Sequence, residues 1–186
     1  MPLRRLVLVA LTSLAILVPG WALAGQDDPR LDGLFERLQA TDNEAEAQVI
    51  QSFIWSIWIE ANDDELNRLM YEGTRAMQVG DLDLAAKLFS DVIEIAPEFA
   101  EGWNKRATVY YLIGEYDKSI ADCMAVLDLE PRHFGALSGL GLIYASKEED
   151  ENALHWFQEA LVQNPHMPSI RQQAEALEEK LHGQAI

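Results

Sequence analysis

The chain of 186 residues contains a single cysteine, Cys123, and few basic side chains: 14 Lys and Arg stand against 31 Asp and Glu, for a formal charge of −17. One cysteine excludes an intramolecular disulfide framework. A charge of this sign repels phosphate backbones and anionic lipid, so we expect no nucleic-acid partner. The acidity favours solubility, and attraction to a basic partner is the alternative interpretation.

The sequence also lacks the common motifs of catalysis and cofactor binding. It has no nucleophile elbow, no phosphate loop and no paired-carboxylate motif. Metal-ligand spacing is absent among the four histidines, which are His133, His155, His166 and His182. We therefore expect no catalytic residue, no metal and no cofactor, and we interpret Cys123 as a small buried hydrophobe. The alternative is an enzyme or small-ligand site centred on Arg106 and His133 with Asp122, although helix capping at a junction is the commoner use of such a histidine.

The first 24 residues have the layout of a secretory signal peptide. Arg4 and Arg5 precede an apolar segment, Leu6 to Val18, and a breaker and small residues follow it at Pro19-Gly20 and Ala22-Leu23-Ala24. This segment is shorter than the ~20 residues that span a bilayer as a helix. We expect an exported protein that begins at Gly25, with no stable membrane insertion, in the periplasm or cell envelope if the source is Gram-negative. An uncleaved anchor is the alternative, which Pro19-Gly20 disfavours.

A period of 34 residues organises the middle of the chain, because three prolines recur at that spacing, Pro97, Pro131 and Pro165. The period divides the chain into windows 66–99, 100–133 and 134–167, each with two helical patterns around a turn. The third window has Leu140, Gly141 and Tyr144 in its first half, then Ala153 and Phe157, then Pro165. The corresponding positions are Gly73, Ala76, Ala85, Phe89 and Pro97 in the first window, and Trp103, Ala107, Tyr110, Ser119, Cys123 and Pro131 in the second.

This pattern resembles the tetratricopeptide repeat family, whose signature runs W-x2-L-G-x2-Y, A-x3-F and P. The resemblance implies an all-α, right-handed solenoid of stacked helical hairpins. It also implies a noncatalytic protein in which the first helices of the repeats line a concave groove that binds protein or peptide segments. Small residues such as Gly73 and Gly141 would let the helices approach. Since one hairpin cannot bury its own apolar face, the repeats must stack.

Both ends of such a stack require covers. Residues 168–183 form an amphipathic helix without the repeat signature, which predicts a carboxyl-terminal capping helix. Residues 25–65 predict an amino-terminal helical hairpin, and in the 34-residue register its part from 32 to 65 becomes a degenerate zeroth repeat. The stretch Ile54 to Trp58, IWSIW, is interpreted as a buried helix wedged between residues 31–40 and the first repeat. A stacking platform for a sugar or a peptide is the alternative.

The resemblance also assigns groove positions, which are the second, fifth, ninth and twelfth residues of each repeat. Their side chains are mixed in character and carry little charge, and Asn, Thr and Tyr among them can hydrogen-bond a peptide backbone. Two glycines of the third repeat, Gly135 and Gly139, would admit either a ligand backbone or a neighbouring helix. The groove positions are Asn67, Met70, Thr74 and Met77; Glu101, Asn104, Thr108 and Tyr111; and Gly135, Ser138, Leu142 and Ala145.

One branch of the family binds the terminal carboxylates of heat-shock chaperones with Lys, Asn and Arg side chains. The matching positions here hold one cation, Lys105, beside Met70, Thr74, Gly135 and Gly139, so we exclude that function. The sequence predicts instead a binding scaffold or adaptor of the cell envelope whose partner is a protein or peptide segment. A structural subunit of an envelope complex, joined through its convex face or its apolar amino-terminal helix, is the alternative. The oligomeric state is left open.

Arg106 breaks the family pattern at the seventh position of its repeat, where Leu is preferred. Glu72 holds the same position one repeat earlier, and equivalent positions of adjacent helices lie about 10 Å apart. We therefore predict an inter-repeat ion pair between Arg106 and Glu72, with Asp122 as a competing partner.

Overall fold

The computed structural model describes residues 25–61 and 63–184, so the predicted signal peptide lies outside the described residues. Within the described part the chain forms nine α-helices after a short 3₁₀ turn, Gly25–Asp27. The protein is all-α there, as the sequence predicts. The helices are α1 (Arg30–Ala40), α2 (Glu44–Ile59), α3 (Asp64–Gln78), α4 (Leu82–Ile95), α5 (Ala100–Leu112), α6 (Tyr116–Leu129), α7 (Phe134–Ser146), α8 (Asp150–Gln163) and α9 (Pro168–Gln184).

Six of these helices form three antiparallel hairpins, α3/α4, α5/α6 and α7/α8, which stack in chain order. The second helices begin at residues 82, 116 and 150, so the 34-residue period of the sequence is also the period of the structure. The turn inside each hairpin has one residue with positive φ, namely Gly80 (80°), Gly114 (80°) and Glu148 (61°). Glycine adopts this backbone conformation without a steric penalty, whereas Glu148 adopts it at a cost.

Close packing inside the first and third hairpins depends on a glycine opposite an aromatic ring, Gly73 opposite Phe89 and Gly141 opposite Phe157. A Cβ atom built on Gly141 would lie 2.3 Å from the ring of Phe157, so α7 and α8 can approach only if this residue is glycine. Ala153, Phe157 and Ala160 are fully buried with Leu137 in the same cluster. At the carboxyl end α9 buries Ile170 and Ala174 in that cluster and covers the apolar face of α8.

The amino-terminal hairpin, α1 and α2, lies along a row of three turns, two that connect one repeat to the next and one that connects the third repeat to α9. Its first residues reach the turn after α4, where the Gln26 side chain donates to the carbonyl of Glu98. Its middle reaches the turn after α6, where Arg132 donates to Asp32 at 2.7 Å. Its tip, between α1 and α2, reaches the turn after α8, where Nε2 of His166 lies 3.0 Å from the carbonyl oxygen of Thr41. In the middle of α2, Gln51 donates to the carbonyl of His166 at 3.4 Å.

The length of α2 fits this position. Its 16 residues span about 24 Å at 1.5 Å per residue, and the three turns span two repeat steps of about 10 Å each. Phe134 at the start of α7 joins the apolar cluster that α1 and α2 form between them. With the 3₁₀ turn before it, the hairpin is therefore a brace that contacts both inter-repeat turns and the turn between the third repeat and α9, and we call it the amino-terminal brace.

The prediction that residues 32–65 form a zeroth repeat stacked on the first is wrong, because α2 packs on α5 and the α6–α7 turn. The outer face of α3 explains why. The stripe that contacts the preceding repeat is apolar or small in α7, with Ala136, Leu140 and Ile143 all buried. In α3 the three residues at the same register are charged and exposed or half-exposed, and they are Arg68, Glu72 and Arg75. A charged outer face is typical of the terminal repeat of a solenoid.

The burial of the IWSIW segment agrees with the prediction of a buried helix and not with the alternative of an exposed stacking platform. Ile54, Ile57 and Trp58 are 0%, 5% and 2% exposed, and Trp55 is half-buried. The neighbours differ from the prediction, since the segment lies between α1 and the second and third repeats. Among the helices that the structure describes, none is both long and apolar enough to cross a membrane.

Candidate functional site

A cavity of about 150 Å³ lies between the first helices of the second and third repeats, α5 and α7. Two residues of α6, Ser119 and Cys123, form part of its wall. The structure brings six of the groove positions assigned by resemblance to this one cavity, together with Gly139. They are Asn104, Thr108, Tyr111, Gly135, Ser138, Gly139 and Leu142.

The groove residues of the first repeat lie outside this cavity. Asn67 is held to the end of the amino-terminal brace: its amide donates to the carbonyl of Ala61 at 2.6 Å and its oxygen accepts from the Ala61 amide at 3.2 Å. Met70 is buried in the core of α3 and α4, and Thr74 and Met77 are half-buried. Asn67 and Met70 therefore act in packing and in fixing the connection between α2 and α3.

Glu101 also departs from the groove prediction, because its side chain is fully buried. One carboxylate oxygen accepts from Asn104 at 2.9 Å and from His133 at 3.3 Å, and the other lies 3.1 Å from the Lys105 ammonium. Burial by itself raises the pKa of Glu101. The hydrogen bond from His133 and the charge of Lys105 together outweigh burial, so the pKa of this carboxyl lies below its ordinary value.

His133 caps the amino terminus of α7, which confirms the capping interpretation. Its Nδ1 accepts from the amide of Ala136 at 3.1 Å, so Nε2 carries the hydrogen that is donated to Glu101. The ring stacks on Trp58 of the brace with 4.1 Å between centroids. Since His133 is 0% exposed, the residue that the enzyme alternative requires is enclosed.

The two unexplained glycines of α7 have different neighbours. A Cβ atom on Gly135 would lie 2.7 Å from Trp55 of the brace, so this glycine admits a neighbouring helix. A Cβ atom on Gly139 would meet only the sulfur of Cys123, at an ordinary 3.6 Å. Gly139 therefore leaves space in the cavity. Burial raises the pKa of Cys123 to about 12, with the charge of Asp122 adding to it, so the thiol is protonated and forms an unreactive part of the wall.

The predicted ion pair between Arg106 and Glu72 is wrong, and Asp122, which the prediction named as the competing partner, is the carboxylate that Arg106 contacts. Arg106 donates to both carboxylate oxygens of Asp122, each at 2.8 Å, and a third N–H reaches the hydroxyl of Ser90 in the preceding repeat at 3.1 Å. Glu72 instead accepts from Arg68, one turn away on the same helix, at 2.7 Å. The seventh position of the repeat, held by Arg106, faces the second helix of the preceding repeat. Ser90 therefore makes the contact between repeats, and Asp122 provides the negative charge that pairs with Arg106. Arg106 and His133 belong to separate networks.

Sequence reasoning missed three contributors to this region. Trp55 and Trp58 close the end of the groove where α5 and α7 begin, and Ser146 fixes the hydroxyl of Tyr111 at 3.3 Å. The 34-residue period and the family signature carry no information on Trp55 and Trp58, because the brace lies outside the repeats. The charged stripe on α3 was the available signal that the brace must pack elsewhere.

Comparison with known proteins agrees with the architecture. A family model described as tetratricopeptide repeat matches residues 72–129 and 121–168. A TPR repeat-containing protein of Rhizobium etli is 34% identical over 154 residues, which cover 83% of this chain and 76% of that protein. The chain belongs to the tetratricopeptide repeat family.

Solved structures show the same fold at low identity. The Sgt2 TPR domain from Aspergillus fumigatus superposes with a TM-score of 0.62 and 22% identity, covering 67% of this chain and 84% of that one. The first TPR of Spaghetti (RPAP3), solved with the HSP90 peptide SRMEEVD, superposes with a TM-score of 0.62 and 16% identity, covering 66% of this chain and 97% of that one. The described helices are therefore a TPR-type solenoid.

Proposed function

We propose that this protein is a noncatalytic adaptor that binds an extended segment of a partner protein in the cavity between the second and third repeats. The observation that carries the proposal is the convergence of six groove positions and Gly139, from α5 and α7, on one cavity. The peptide complex of the similar RPAP3 domain supports this use of the fold.

The partner segment differs from the acidic peptide of that complex. Lys105, the one cation at the matching positions, lies 3.1 Å from Glu101, whose side chain is fully buried. A carboxylate entering the groove would have to displace that contact and leave a buried charge uncompensated. Among the described groove positions, no cation is therefore offered to a terminal carboxylate without disruption of this contact.

Crosslinking in cells tests the proposal. A tagged full-length chain and a Thr108→Ala, Tyr111→Ala variant would be crosslinked, purified and analysed for bound proteins. We expect the variant to lose specific partners, whereas a Ser169→Ala control, altered on the exposed surface of the capping helix α9, should keep them. If the double variant retained every partner of the unaltered chain, binding in this cavity would lose its support.

The proposed site of action is outside the cytoplasm, in the periplasm or cell envelope of a Gram-negative source. The support is the signal-peptide layout of residues 1–24, from Arg4 and Arg5 to Ala24. Amino-terminal sequencing of the protein recovered from the exported fraction tests it. A start at Gly25 is expected, and recovery of the intact chain from the cytoplasm alone would contradict export.

A second candidate function is a structural subunit that joins a complex through the amino-terminal brace. Its outer surface exposes Val49 and Phe53, at 56% and 57%, beside a groove of about 560 Å³ lined by Leu34 and Ile57 among others. Exposed apolar side chains next to a groove are typical of interaction surfaces. In the same crosslinking experiment, loss of partners in a Phe53→Asp variant, with retention in the Thr108 and Tyr111 variant, would favour this function.

A further inference from the structure

The three aliphatic hydroxyl groups that line the cavity donate their hydrogens to backbone carbonyls of the protein. Thr108 donates to the carbonyl of Asn104 at 3.0 Å, and Ser138 donates to the carbonyl of Gly135 at 3.1 Å. Ser119 donates to the carbonyl of Ala107 at 2.7 Å. A hydroxyl has one hydrogen and two lone pairs, so what these three groups offer to a ligand is lone pairs.

Tyr111 has the same character. Its oxygen lies 3.3 Å from the hydroxyl of Ser146, and Ser146 donates its own hydrogen to the carbonyl of Leu142 at 2.9 Å. Tyr111 must therefore be the donor to Ser146, which leaves the phenol oxygen as an acceptor. Four hydroxyl oxygens of the cavity wall thus accept hydrogen bonds and none has a hydrogen free for a ligand.

The electrostatic surroundings favour a cationic ligand over an anionic one. No Lys, Arg, Asp or Glu lines the cavity, and the whole chain carries a formal charge of −17. A carboxylate would meet four hydroxyl lone pairs in a negative protein, and the side-chain donors available to it would be limited to the second hydrogen of the Asn104 amide and the weak thiol donor of Cys123. A lysine ammonium brings three N–H donors and a long apolar stem, which Leu142, Ile143 and Ala107 can contact.

We propose that the cavity is an anchor site for a lysine side chain of the partner segment, with Thr108, Ser138 and Tyr111 as acceptors for its ammonium group. This inference rests on the proposed function, since it names the residue that a bound segment inserts. Gly139 sets the depth of the site, because a methyl group there would project toward Cys123 into the space that the stem requires.

A display library of random 12-residue peptides, selected on immobilised protein of residues 25–186 in 1 M NaCl, tests the proposal. At this salt concentration the screening length is about 3 Å, so general attraction of basic peptides to the acidic surface is suppressed. We expect the selected peptides to share a lysine at one position. Replacing that lysine by norleucine, which keeps the stem and removes the ammonium, should weaken binding about tenfold or more in a fluorescence anisotropy titration.

Protein variants locate the effect in the cavity. Thr108→Val and Ser138→Ala remove acceptors, and Gly139→Ala shortens the site; each should reduce the preference for lysine over norleucine. Ser169→Ala, on the exposed surface of the capping helix α9 and outside the groove, is the control and should retain it. Thermal unfolding of every variant distinguishes loss of the site from loss of the fold.

The outcomes separate the two proposals. Selection of no peptide would count against both the proposed function and the lysine site. Selection of peptides without a shared lysine, or equal binding of lysine and norleucine peptides, would overturn the lysine site and leave peptide binding intact. A lysine preference that survives in Thr108→Val and Ser138→Ala would place the site elsewhere and overturn the assignment to this cavity.

Discussion

Replacing Gly135 and Gly139 by alanine, one at a time, tests the contact between the amino-terminal brace and the groove. The two glycines lie one turn apart on α7, so both substitutions add the same methyl group to the same helix. In Gly139→Ala the methyl makes an ordinary contact of 3.6 Å with Cys123. In Gly135→Ala it would lie 2.7 Å from Trp55 and 3.1 Å from His133.

The expected magnitudes have opposite signs. Gly139→Ala should stabilise the protein by up to about 1 kcal/mol, because alanine is the better helix former. Gly135→Ala gains less stability from helix propensity, because residue 135 lies in the first turn of α7. Its methyl group also forces Trp55 about 1 Å outward to restore a normal carbon–carbon distance. Overpacking of this kind costs about 1–3 kcal/mol, so the net effect should be destabilisation.

Urea and thermal unfolding followed by circular dichroism measure both effects. For a domain of this size 1 kcal/mol corresponds to about 2–4 °C in Tm. In a Trp55→Leu background the ring is gone, and most of the cost of Gly135→Ala should disappear as a coupling energy in the double-mutant cycle. Equal effects of the two glycine substitutions, or an unchanged cost without Trp55, would refute the placement of the brace against α7.

Three further predictions concern charged groups. Asp122→Ala should destabilise the protein by about 3 kcal/mol in urea unfolding, because the Arg106 side chain, which is 17% exposed, is left without its carboxylate partner. Adding Arg106→Leu should recover most of the loss, and no recovery would contradict this prediction. Glu148→Gly should stabilise by about 1 kcal/mol, since it removes a side chain from a positive φ of 61°; a decrease in Tm would contradict it. The pKa of Glu101 is lower in the folded than in the unfolded protein, so its contribution is present above its ordinary value of 4.5 and is lost as the pH falls through the folded pKa. The slope of stability against pH below 4.5 should therefore be smaller in Glu101→Gln, and an unchanged slope would exclude this role.

The repeat architecture could be predicted from the sequence because a 34-residue period reflects a purely local rule. Each proline lies in the turn between one repeat and the next element, and in the first and third repeats a glycine stands opposite a ring, as Gly141 does opposite Phe157. The cavity residues could be assigned for the same reason, since position within a repeat determines which face of the first helix a side chain occupies.

The position of the brace could not be predicted in this way. It depends on contacts between residues far apart in the chain, such as Arg132 with Asp32 and His166 with Thr41, that no periodic pattern encodes. The pairing of Arg106 failed for a related reason. The repeat spacing indicates the distance between equivalent helices but not the direction of a side chain. In the structure the Arg106 guanidinium points toward Ser90 and Asp122.

The brace changes how the solenoid is expected to unfold. In a simple repeat array each unit contacts only its neighbours, so the ends can fray while the middle stays folded. Here the amino-terminal brace contacts both inter-repeat turns and the turn before α9, and its hydrogen bond between His166 and Thr41 joins residues 125 positions apart. Opening any one repeat must therefore loosen contacts shared with the others, which favours a single cooperative transition. The array can complete its fold only after its last repeat is available to the first helices of the chain.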